Sequence, residues 1–314
     1  MSRRSLIRSF SYRRAAIGVG ALLSVLAFAV APGVASVAGT GREATTIATD
    51  AAVASAPHAP KPTVVLVHGA FADASGWNGV VARLTRDGYT VRSLANPLRG
   101  LASDSAYIHS FLNTIPGPVV LVGHSYGGAV ITNAAVGEKQ VRALVYVAAL
   151  VPDSGESLAD LQARTVAPPA PPLPAQVVPY TLPDGTTGTD LYIDPAKFRA
   201  TFAADVPAGI AAQMAAGQRP INSAAAAGIS PEAAWHDIPS WFLLAKQDQA
   251  ISPDLERFMA ARAHAHLTEI NSSHAAMVSH PDAVTALIET ADRATTDLQP
   301  TAVPGLKFSV NHMR

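Results

Sequence analysis

The sequence predicts an α/β protein: a doubly wound, mostly parallel sheet with an inserted segment between two of its strands. Three observations carry that prediction. Thr63-Val64-Val65-Leu66-Val67, Pro118-Val119-Val120-Leu121-Val122 and Trp241-Phe242-Leu243-Leu244-Ala245 are continuously apolar runs. Such runs suit strands buried on both faces, as in a parallel sheet. Segments of helical spacing lie between them, which is the rhythm of βαβ units. The rhythm breaks over residues 152–238 and then resumes.

The elements follow in order. After the first strand, Trp77, Val80, Val81 and Leu84 recur at helical spacing over 75–86, closed by Asp87-Gly88. A second strand over 89–94 leads to a turn at Asn96-Pro97, and Tyr107, Ile108, Phe111 and Leu112 mark a helix over 102–115. The third strand runs into Gly123-His124-Ser125-Tyr126-Gly127-Gly128 and a helix through Val136; residues 141–150 form the fourth. The insertion over 152–238 holds a Pro-rich stretch, a hairpin-like Pro183-Asp184-Gly185, and helices over 197–204 and 210–216. A segment of this length is expected to be a folded lid, since long structureless loops are rare. A strand over 241–245, a helix over 253–263 with Ser252 as N-cap, a strand over 266–270 and a helix over 281–294 complete the domain.

Composition narrows the function. The 314 residues are 49% hydrophobic and 15% charged, which excludes a disordered, solvated chain. With 23 basic and 23 acidic residues the chain lacks the basic excess of a nucleic-acid binder. No cysteine is present, so thiolate metal sites and cysteine nucleophiles are excluded. The neutrality averages two unlike parts. Residues 1–38 carry five arginines and no acid, so the remainder has 18 basic residues against 23 acidic ones.

Those first 38 residues read as an export signal: arginines, an uncharged apolar run over 15–31, then small residues with cleavage expected after Ala38, or else Ala35. The pairs Arg3-Arg4 and Arg13-Arg14 suggest the twin-arginine route. An uncleaved membrane anchor is the alternative, and the apolar run is near the lower limit for one. Once the signal is removed, no stable membrane association is expected. Residues 39–61 read as a flexible linker, 62–294 as the catalytic domain and 295–314 as a polar tail.

The chemistry centres on Gly123-His124-Ser125-Tyr126-Gly127, a G-x-S-x-G between an apolar strand and a helix. A turn that tight needs small flanking residues, and glycine supplies both room and backbone freedom. It lifts the Ser125 hydroxyl to the start of the helix. A serine nucleophile needs a base, and the loop after the last strand offers His274 in Ser272-Ser273-His274-Ala275. His280 in that loop suits a cap or surface role, and His264 and His266 are expected to be exposed. His124 is expected to point away from the serine. The orienting acid should follow an earlier strand: Asp248 is favoured, with Asp153 as the competitor. Oxyanion donors are expected from the backbone N–H of Tyr126 and of Ala70, with Phe71 as the alternative to Ala70. His68 is expected to brace that loop.

Together these residues resemble the α/β-hydrolase superfamily over about residues 62–294, in the chain order Ser, Asp, His. Leu66-Val67-His68-Gly69-Ala70-Phe71 with Trp77 and Gly123-His124-Ser125-Tyr126-Gly127-Gly128 is similar to the branch of plant methylesterases, hydroxynitrile lyases and bacterial esterase-like relatives. The resemblance implies a serine hydrolase with Ser125, His274 and Asp248 as nucleophile, base and acid, and needs no metal or organic cofactor. The lyases carry a lysine where this chain has Ala275, which argues against cyanohydrin cleavage. The expected substrate is a small or medium, largely apolar carboxylic ester, lactones included. A perhydrolase or haloperoxidase using the same triad is the alternative enzyme, and a non-catalytic ligand-binding relative the alternative from another class.

Overall fold

The computed structural model describes residues 60–164 and 172–296. The expected export signal, nearly all of the linker, the tail beyond residue 296 and residues 165–171 of the Pro-rich stretch lie outside them. Strand β1 (Thr63–Val67) leads through a 3₁₀ turn (Ala74–Trp77) into α1 (Asn78–Arg86). The single helix expected over 75–86 is thus divided, its first turn tightened by Asp73, whose side chain accepts the Ser75 N–H. Then follow β2 (Thr90–Leu94), α2 (Leu101–Leu112), β3 (Val119–His124), α3 (Tyr126–Ala134) and β4 (Val141–Val147).

The insertion has a fold of its own: α4 (Leu158–Gln162), β5 (Ala175–Thr181), β6 (Thr187–Ile193), α5 (Pro195–Phe202), α6 (Ala208–Gly217), β7 (Ile221–Asn222) and α7 (Ala224–Ala227). The chain returns as β8 (Ser240–Ala245), α8 (Pro253–Arg262), β9 (His266–Ile270), α9 (Ala276–Ser279) and α10 (Pro281–Thr296). Helix α10 runs two residues past the expected boundary at 294, because Thr295 is still buried and Tyr89 donates its hydroxyl hydrogen bond to Asp292 at 2.8 Å.

The main sheet has the order β2-β1-β3-β4-β8-β9, and each neighbouring pair is parallel. The chain leaves β1 toward β2, then crosses back to β3. The β1/β3 boundary is therefore the switch point of the sheet, where such folds open a crevice beyond the carboxyl ends of the strands. Buried residues of β3 divide between two cores. Val119 and Leu121 pack with Ile108, Val130 and Met259 on one face; Val120 and Val122 pack with Trp77, Leu84 and Ile288 on the other. That division explains why Val119 to Val122 had to be apolar at every position.

Strands β5, β6 and β7 form a separate antiparallel sheet. The turn expected at Asp184-Gly185 joins β5 to β6, with Gly185 at φ 86°. Its flanking strands were not legible, since β5 contains Pro179. A proline lacks the donor a ladder needs, and here β5 is an edge strand that tolerates it. Arg99 pairs with Asp190 at 2.9 Å, and Asn222 donates its N–H to Leu98 O at 2.9 Å, tying this sheet to the loop before α2. No helix among the described residues is long and apolar enough to cross a membrane.

Candidate active site

Four loops meet at the carboxyl ends of β1, β3, β8 and β9. Ser125 is the single residue between β3 and α3, with φ 54° and ψ −126°. A side chain in that region is strained, by about 1–3 kcal/mol. The surroundings hold it there: Ser125 N–H donates to Val147 O at 3.2 Å, and its carbonyl accepts from Gly128 N at 2.9 Å and Leu150 N at 3.1 Å.

The glycines supply room rather than conformational freedom, which corrects half of the sequence expectation. None of Gly123, Gly127 and Gly128 has a positive φ. A Cβ on Gly123 would lie 2.6 Å from Gly127 O, and one on Gly127 2.5 Å from Val67 O. On Gly128 it would lie 2.7 Å from Leu150 O, and on Gly69 2.5 Å from Ser125 Cβ. The turn is packed backbone to backbone against β1 and β4.

In the loop after β1, His68 braces as expected. Asn96 N–H donates to His68 Nε2 at 3.0 Å, so Nδ1 carries the proton and donates to Gly69 O at 2.8 Å. Burial lowers the His68 pKa, which favours this neutral form. Phe71 has φ 61°, and its N–H donates to Arg219 O of the insertion at 3.0 Å. That bond engages the alternative oxyanion donor. No backbone carbonyl among the described residues takes the Ala70 N–H in the turns and loops. The Tyr126 N–H belongs to the first turn of α3, where helices leave their donors without internal partners. The Tyr126 hydroxyl donates to buried Asp104 at 2.7 Å; burial, then the Asp104 charge, push its pKa up.

His274 and Asp248 are brought into direct contact. Both are buried, and Nδ1 of His274 lies 2.5 Å from Asp248 Oδ2. The other carboxylate oxygen accepts Ala250 N–H at 2.6 Å and Ile251 N–H at 2.9 Å. Asp153 is elsewhere: it is paired with His236 at 2.8 Å on the surface. His264 and His266 are exposed, and His280 faces Asp205 at 3.3 Å. His124 is fully buried and donates through Nε2 to His274 O at 3.0 Å, with burial and then His274 holding its pKa well below the ordinary value. Its ring lies 4.7 Å from that of His274. Ser125 follows His124 directly, but no hydrogen bond joins its hydroxyl to the His274 imidazole among the described residues; such bonds often tighten only with substrate.

The comparisons with known proteins agree with this architecture. Residues 64–287 match the model of the "Alpha/beta hydrolase family". The chain belongs to the alpha/beta hydrolase family. Among named relatives of this hydrolase is an alpha/beta hydrolase of Aspergillus novofumigatus, 26% identical over 255 residues that cover 74% of this chain and 96% of the relative. A carbendazim hydrolyzing esterase of Nocardioides is 33% identical over 118 residues, covering 33% of this chain and 48% of the esterase. Polyneuridine aldehyde esterase has the same fold, with a TM-score of 0.63 at 20% identity over 73% of this chain and 98% of the other.

Two residues at the hydrolase site carried no sequence signal. Phe202 and Asp205 lie in the insertion, about 70 positions before the loop they touch. The Phe202 ring is 4.7 Å from that of His274, and Asp205 accepts a hydrogen bond from the Ser273 hydroxyl. Ordinary residue types in an Ala-rich stretch gave no reason to single them out.

Proposed function

We propose that this alpha/beta hydrolase is an exported serine esterase acting on small or medium, largely apolar carboxylic esters. The observation that carries the reading is the buried Asp248–His274 pair set beside the turn that holds Ser125 in a left-handed conformation. Ser125 Oγ attacks the ester carbonyl as His274 Nε2 takes its proton, and the carbonyl oxygen becomes an oxyanion facing the N–H groups of Ala70 and Tyr126. Asp248 fixes the imidazole through Nδ1–H, leaving Nε2 for proton transfer. Collapse expels the alcohol, protonated by His274, and leaves an acyl-serine. Water activated by the same base then releases the acid and restores Ser125. Every step is served by this chain's own residues.

The substrate preference is supported by a cleft of about 330 Å³ beside the oxyanion loop. Phe71, Ala72, Ile210, Met214 and Val278 form its apolar walls, between α6 of the insertion and the turn before α1. That volume suits a small or medium group. Export is supported by the arginine-led, apolar first 38 residues.

The test is hydrolysis of p-nitrophenyl esters by the purified protein, with covalent inhibition by an organophosphonate. Ser125→Ala should abolish both turnover and labelling; full activity in that variant overturns the reading.

A further inference from the structure

The buried carboxyl of Glu256 has no part in the mechanism above. We propose that Glu256 is a positioning residue for the Asp248–His274 pair, donating a hydrogen bond from its carboxyl group to the Asp248 carboxylate. The assignment rests on the esterase reading for its catalytic meaning.

Glu256 lies in the first turn of α8 and is 0% exposed. Its Oε2 receives the Ala245 N–H at 3.3 Å, while Oε1 is buried without a donor among the described residues. Ala245 also fixes the other acid, since Asp248 N–H donates to Ala245 O at 3.1 Å. Both carboxyls therefore converge on the end of β8, where a hydrogen bond between them would pair the orphaned Oε1.

Two carboxylates cannot share such a bond unless one carries a proton. Asp248 has three donors of its own: the N–H groups of Ala250 and Ile251, and His274 Nδ1. Glu256 has one long one. The charge settles on Asp248, the proton on Glu256. Burial, and then the Asp248 charge, hold the Glu256 carboxyl well above the usual carboxylate range. Arg257, next on the helix, opposes this weakly, because its guanidinium is turned out to Asp254 and Glu269. His274 faces Asp248 through the oxygen Oδ2. Asp248 is thus gripped by backbone, by imidazole and by a neutral acid, and cannot swing away from His274.

Two variants test this. The amide of Glu256→Gln donates the same bond, so its kcat should stay within about threefold of the parent. Glu256→Leu cannot donate, and its kcat should fall about ten- to a hundredfold with KM unchanged within about twofold. Equal kcat in both variants overturns the proposal. A second readout needs no turnover. The folded chain keeps a proton on Glu256 that the unfolded chain releases above its ordinary pKa of 4.5. Stability conferred by that proton is complete below pH 4.5 and is lost as the pH rises toward the folded value. Glu256→Gln escapes the loss, so its advantage in thermal unfolding should widen from pH 5 to pH 8, by up to about tenfold in the folding equilibrium per unit. A difference independent of pH overturns the protonated pair. A widening gap in a protein that cleaves no ester supports the pair and counts against the esterase reading. This comparison stands even where Glu256→Leu does not fold.

Discussion

The carbonyl of Phe202 accepts the N–H of Ala275 at 3.0 Å, one residue beyond His274. On the other side, Ser273 donates its hydroxyl hydrogen bond to Asp205. The insertion therefore grips the loop of the proposed base immediately before and after the imidazole.

That grip can be measured at Asp205. Burial pushes its carboxyl up, but hydrogen bonds from Ser273 and Ser279 outweigh this and leave its pKa below the ordinary value of 3.8. A lowered acid stabilises the fold above its unfolded pKa, and that contribution is lost as the pH falls through the folded value. Asp205→Ala should destabilise by about 1–3 kcal/mol at pH 7 and progressively less below about pH 4. Its kcat should fall about tenfold. Thermal unfolding across pH and steady-state kinetics with p-nitrophenyl esters check both parts.

The two aspartates weighed as orienting acid should separate cleanly. Asp248→Asn keeps its oxygen on the N–H groups of Ala250 and Ile251 and turns an amide N–H toward Nδ1, which should lower kcat by about four orders of magnitude. Asp153→Asn breaks only an exposed pair with His236, so activity should stay within about twofold. Comparable losses in both variants would contradict the geometry.

The cleft beside Phe71 predicts a change in acyl or alcohol size preference. Met214→Trp adds bulk to the wall supplied by α6. Activity on an acetate ester of a small alcohol should be nearly unchanged, while esters long enough to enter the cleft should lose about tenfold or more in kcat/KM. A panel varying chain length on each side of the ester shows which group the cleft receives. Uniform loss across the panel would mean that the helix was disturbed rather than the cleft filled.

Much of the core and the site could be read from the sequence, for a physical reason. Val119 to Val122 had to be apolar throughout because β3 meets a core on each face, and Gly123 to Gly128 sit where the chain has no room for larger residues. Constraints of that kind act within a few neighbours and leave local patterns. His274 and Asp248 stand out by their places after β9 and β8, and the structure brings the two into contact. The contacts of Phe202 and Asp205 with the His274 loop span about 70 positions and leave no such pattern. Glu256 was hidden differently: an acid in the first turn of a helix is ordinary at the surface, and only the packing of α8 against β8 shows that this one is buried. The hairpin's turn was legible at Asp184-Gly185, but its first strand was hidden by Pro179, a residue that speaks against a strand until the strand is known to be an edge.

The insertion reaches the site twice, through Arg219 to Phe71 and through Phe202 and Asp205 to the loop around His274. Raising the segment would break its bonds to the loop after β1 and to the loop around His274 together. It joins those two loops to each other, and the cleft at Phe71 opens on its flank beside α6. For redesign, the freedom lies in the hairpin tip between Val178 and Thr187, away from both attachments. Exchange of the whole insertion for that of another hydrolase would also remove the contacts of Phe202 and Asp205 with the loop around His274.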